Sequence, residues 1–217
     1  MKRPDARRVT AEWAALFPEL TVVGPRVLLR RFGPLVQGIT LDDSGPHYYP
    51  SAHVHALTTD APVIYLSLNH RVRLGRGPQT PVETAAKPEL VARAAAALRE
   101  QSAPLLDPEA GLVELLEVYR KYVTKWRGRD PRAYHELRDL VLLPTAAGLS
   151  DLAAEAFELA VDISQGWTKS DAPVGWDTTA DWLDELRSRM TDVDALRATV
   201  DAEVTKHGLA SVPDRMP

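Results

Sequence analysis

The hydrophobic period of this 217-residue chain changes once, and that change limits the folds open to it. Up to about residue 70 apolar side chains alternate over short runs broken by Gly and Pro, the period of half-buried strands. From Pro88 onward they recur every three to four residues, the period of amphipathic helices. Strands followed by helices, rather than alternating with them, indicate an α+β fold with an antiparallel sheet. The expected organisation is a β-rich part over 1–82 and a helical part of about six helices over 83–217.

In the β-rich part, Thr10 is expected to cap a short helix over 11–17 whose apolar side is Trp13, Leu16 and Phe17, with residues 1–9 as a frayed arm. Four strands follow: 22–23 with 26–32, then 35–41, 51–57 and 63–70, the simplest order being a mainly antiparallel meander. The loop 42–46 (DDSGP) precedes the last pair, and Thr58 to Pro62 has the length and residues of a hairpin turn. Setting Leu57 opposite Val63 sorts the faces. Ala52, Val54, Ala56, Ile64, Leu66 and Leu68 form an apolar side, with His70 at its end. His53, His55, Tyr65, Ser67 and Asn69 form a polar one.

That polar face is the candidate site. Histidines at i and i+2 on a strand point the same way and can hold one divalent metal such as zinc if a third ligand is near. His47, Asp42 and Asp43 precede the strand and are the candidates. The competing reading is an ordinary polar sheet face with bonded histidines. The alternating histidine signature of nucleotide-hydrolysing histidine-triad proteins is absent.

The helical part carries Pro at the first turn of 88–98. Asp107-Pro108 is read as the start of a helix running through Trp126 to Gly128. Asp130-Pro131 begins another that Pro144 stops, and Ser150 caps a third. The runs 131–143 and 150–164 form an αα-hairpin. The loop 165–178 holds Trp167 and Trp176, which either staple it to the core or serve as anchors for a partner. Helix 179–190 and a helix capped by Asp192 follow, and the tail 209–217 is expected to be disordered.

Charge separates functions. The net charge of −4 divides into an excess of four cations up to Val82 and of eight anions after it. An acidic helical half is unsuited to nucleic acid, whose phosphates need neutralising cations. Arg26, Arg30, Arg31, Arg71, Arg73 and Arg76 in the first half lack interleaved aromatics. GRGP within 73–88 lacks the Gly-Lys-Ser/Thr ending of a phosphate loop. There is no G-x-S-x-G, dinucleotide fingerprint or H-E-x-x-H, and no cysteine. No apolar run is long enough for a membrane span, and no apolar segment follows the basic N-terminus as in a secretory signal. These features fit a cytoplasmic protein.

The leading expectation is therefore a non-enzymatic module that binds another protein, a basic one by charge, with no bound cofactor. It could serve as an adaptor or a bacterial toxin-neutralising (immunity-like) protein, a likeness of type that no motif ties to a family. Tyr65, Ser67, Trp167 and Trp176 are the candidate binding residues. The alternatives are a metal-dependent hydrolase using His47, His53 and His55, and a small-molecule-binding domain on the same strand face.

Overall fold

The structure is a computed structural model that describes residues 3–77, 79–125, 133–168 and 171–216. It has the α+β organisation expected. Helix α1 (Arg3–Leu16) leads into strands β1 (Thr21–Gly24), β2 (Val27–Phe32), β3 (Leu35–Ser44), β4 (His47–Ala56), β5 (Ser67–Arg71) and β6 (Val82–Glu83). Helices α2 (Pro88–Gln101), α3 (Leu112–Lys125), α4 (Tyr134–Ala146), α5 (Ser150–Ser164), α6 (Thr179–Thr191) and α7 (Val193–Lys206) follow. The sheet is the meander β1-β2-β3-β4-β5, with β6 added on β4. Among the described residues no helix is long and apolar enough to cross a membrane.

Contacts divide the chain into two compact units, each visited more than once. The first takes Met1–His55, Ile64–Leu112 and Gly208–Pro217; the second takes Ala56–Val63 and Val113–His207. Helix α2 belongs with the sheet, because its stripe Val91, Ala94, Ala95 and Leu98 enters the sheet's apolar core. The other side of that core is α1. Trp13 stacks on Phe17 at 5.9 Å, meets Tyr48 edge-on, and donates its indole N–H to the Tyr48 hydroxyl at 3.0 Å. A buried indole donor is thus satisfied inside an apolar cluster.

Several local expectations are corrected. Residues 3–9 of the expected arm are helical and Thr10 is not a cap. The buried stripe Ala6, Val9, Trp13 runs the helix back to Arg3, and the Thr10 hydroxyl donates to Ala6 O while accepting the N–H of Arg26. The loop 42–46 is mostly strand, with the β3–β4 turn confined to Gly45-Pro46 and Gly45 at φ 67°.

The β4–β5 pairing also differs from the expected hairpin. Ser51 faces Arg71, Ala52 faces His70, and after an irregularity Val54 faces Ser67; Leu68 adopts φ 49° there. Strand β5 starts at Ser67 rather than residue 63 because Tyr65 donates its N–H to the His55 ring instead of to a ladder.

Helix α3 starts at Leu112, not at Pro108, for a related reason. The carbonyls of Asp107 and Pro108 are taken by the buried Arg30 guanidinium, and the Leu105 carbonyl by Gln37. The Asp107 carboxylate accepts Glu109 N–H in a turn. Trp126, Gly128, Asp130 and Pro131 lie outside the described residues. Pro144 does not stop α4, which continues to Ala146 and closes at Gly148, φ 77°. Ser150 is the first residue of α5 rather than its cap. Asp192 does cap α7 through its side-chain oxygen, and Thr178, not singled out from the sequence, caps α6 in the same way.

The tail is ordered against the first unit. Leu209 and Val212 are fully buried, and Asp214 forms a parallel bridge to Arg31.

Candidate functional site

Odd-numbered residues of β4 share one side of the sheet, so His47, Tyr49, Ser51, His53 and His55 form a row. On the adjoining strands the same side carries Leu29, Gly38 and Thr40; the β2–β3 register pairs Leu29 with Gly38 and Val27 with Thr40. Gly38 is required there, since a Cβ would fall 1.9 Å from the carbonyl oxygen of Leu28.

His53 is 0% exposed. Its Nε2 and the Thr40 hydroxyl share a hydrogen bond of 2.9 Å, while Nδ1 and the neighbouring Ser51 hydroxyl have no partner among the described residues. Burial, with a smaller contribution from the charge of His55, pushes the His53 pKa down to about 3. The ring is therefore neutral at pH 7.

His55 is 2% exposed. Its Nδ1 accepts the Tyr65 N–H at 3.1 Å, and the Tyr65 ring lies 5.8 Å away. The Nδ1 lone pair is thus engaged by a backbone donor. His47 begins the strand, beside Glu83. Six residues of extended chain place it about 20 Å from His53. The three imidazoles thus share a face without sharing a point. Asp42 and Asp43, the other candidate ligands, are engaged by Arg71 at 3.1 Å and Arg26 at 2.9 Å.

The four candidate binding residues are not gathered either. Tyr65 and Ser67 belong to the first unit, Trp167 and Trp176 to the second. Tyr65 is 49% exposed, and Ser67 sits opposite Val54 rather than beside His53. Trp167 packs on the buried Trp182 at 5.5 Å, which staples its loop; Trp176 is half-buried and turns back to the Pro173 carbonyl.

Three features were not anticipated. In the second unit the buried Glu203 carboxylate accepts the Ala61 N–H at 3.1 Å and pairs with Lys206 and His207, each at 3.1 Å. The i, i+3, i+4 spacing of these three, over the last turn of α7 and the residue that follows it, was the available signal. Also in the second unit, Asp139 is buried beside Arg138, and burial raises its pKa.

The third is a cleft of about 570 Å³ in the first unit, between the end of α1 and the outer side of α2. Leu16, Phe17, Ala92, Ala95 and Ala96 line it, with Arg99, Glu100 and Asp107 at its edges. Its shape comes from the Ala-rich run of α2, whose small side chains leave a trough beside Leu16. Arg99 is committed: it pairs with Glu19 at 2.8 Å, donates to Leu106 O and lies over the Phe17 ring at 4.4 Å. Glu100 has no ion-pair partner among the described residues.

No protein-family model, curated protein or solved structure matches this chain.

Proposed function

We propose that the protein is a non-enzymatic binding module whose first unit receives a basic, amphipathic helical segment of another protein in the cleft between α1 and α2. The observation that carries this reading is the cleft's composition. It is an open apolar trough edged by carboxylates. Ala92 and Ala96 are exposed along its α2 wall, and Leu16 remains 38% exposed at the opposite side. Apolar grooves of this kind receive helices whose anchors recur at i, i+3 and i+4. With Arg99 paired to Glu19 and Asp107 beside the buried Arg30, the edge charge left is Glu100, which favours Lys or Arg beside the anchors. By contrast, His53 and His55 are buried, and the half-buried His47 lies apart from them at the start of the strand.

The test uses fluorescence anisotropy with two labelled model helices of about four turns, one of Leu and Lys and one of Leu and Glu. The Leu/Lys helix binds the wild-type chain, and Ala96→Trp, on an exposed wall position, weakens binding at least tenfold. Equal binding of both helices, or an unchanged affinity in Ala96→Trp, rejects the reading.

A further inference from the structure

We infer that the edge of β2 from Arg31 to Gly33 is a second recognition site, for an extended peptide of the pattern Asp–Arg–unbranched apolar residue, and that the chain's own tail occupies it. Strand β1 pairs with β2 only at Val27, Leu28 and Leu29, so its neighbour's edge is uncovered by β1 beyond that point. The tail takes over there. Asp214 bridges to Arg31 in parallel orientation, and Arg215 donates its N–H to the Arg31 carbonyl at 2.9 Å. This is strand addition within one chain, the mode by which many domains bind extended peptides.

Each tail residue meets a distinct receptor group. The Asp214 carboxylate accepts the Gly33 N–H at 2.8 Å and pairs with the Arg31 guanidinium at 3.1 Å. The Arg215 guanidinium donates to the Glu19 carbonyl at 2.8 Å. The Met216 thioether rests on Gly33, where a Cβ would come within 2.4 Å of the sulfur. The Arg31 guanidinium, the Gly33 N–H, the Glu19 carbonyl and a missing Cβ therefore read three consecutive side chains, while one backbone hydrogen bond sets the strand direction.

The tail is held as a displaceable ligand is held. Val212 is buried, but Pro213, Asp214 and Arg215 are exposed, and the Arg31–Asp214 pair is partly solvated. Pairs of that kind contribute little individually. Occupancy comes from tethering, which sets an effective concentration on the order of millimolar. A partner segment with the same pattern and additional contacts displaces the tail; a bare peptide does not. The site and the α1–α2 cleft share only Glu19, whose carbonyl meets Arg215 and whose carboxylate pairs with Arg99, and the two readings are tested with different probes.

The experiment compares the full-length wild-type chain with full-length Asp214→Ala. The probe is a fluorescein-labelled peptide of residues 211–217, with its Asp→Asn counterpart as control. Asp214→Ala loosens the resident tail and binds the peptide at least tenfold more tightly than the wild type does, and the Asn peptide loses that gain. NMR of residues 213–216 reports whether the variant's tail has left. Three outcomes each overturn the inference. Wild type and variant bind equally; the variant's tail leaves but no peptide binds; or the tail stays seated without its carboxylate.

Discussion

Replacing His53 by Gln removes a titrating ring while leaving an amide able to meet the Thr40 hydroxyl, and the effect should depend on pH in a calculable way. Burial lowers the His53 pKa to about 3, against an ordinary value near 6.5. Between those values the unfolded chain binds the proton and the folded chain does not. Stability therefore falls as pH drops below about 6.5 and stops falling from this source near 3. Each pH unit in that window is about 1.4 kcal/mol. Moving from pH 7 to pH 4.5 crosses roughly two units of it, so His53 costs the wild type about 2.7 kcal/mol that His53→Gln is spared. Urea unfolding followed by circular dichroism at both pH values measures this. Carboxylates titrate in both proteins, so the difference between them isolates His53. The wild type's advantage over the variant should shrink, or reverse, by about 2–3 kcal/mol on acidification. A difference that is the same at both pH values would refute the placement of a neutral, desolvated imidazole at this position.

Two further perturbations probe how the sheet is built. Gly38→Ala drives a Cβ into the Leu28 carbonyl, so thermal unfolding should show a loss of at least about 3 kcal/mol or no folded protein. A stability within about 0.5 kcal/mol of wild type would contradict the close strand approach. Arg30→Met keeps the buried stem but releases the Asp107 and Pro108 carbonyls. It should cost about 2 kcal/mol, with faster hydrogen exchange at the amides of 109–111; unchanged exchange there would contradict the role given to Arg30.

The sequence made the sheet and the helices legible because both rest on local apolar periodicity. The meander, the Pro88 start of α2 and the cap at Asp192 follow from neighbours in the chain. What stayed hidden depends on bonds between distant residues. Arg30 lies 77 residues before Asp107, and no local pattern reveals that its guanidinium displaces the start of α3. Likewise His55 diverts the Tyr65 N–H from the ladder, which moves Ser67 away from His53 and dissolves the tidy polar face. The alternation correctly put His53 and His55 on one side of a strand. It carried no information on whether that side meets water. The tail escaped for a different reason: its polar, Pro-containing sequence resembles disorder, and its partners are backbone groups of residues 19, 31 and 33 and the Arg31 guanidinium, all far from it in the chain. The cleft leaves only a faint trace, the run of alanines from 94 to 97 with Ala92 before it, which reads equally well as a strong helix former.

The most direct measurement on the central claim is a ¹H–¹⁵N correlation spectrum of the labelled full-length chain titrated with the Leu/Lys model helix. The account predicts that the shifted amides cluster at Leu16, Phe17, Ala92, Ala96 and Glu100, with the β4 histidines unmoved. Shifts centred on Tyr65 or on the loop holding Trp167 and Trp176, or the absence of any shift at saturating helix, would contradict it.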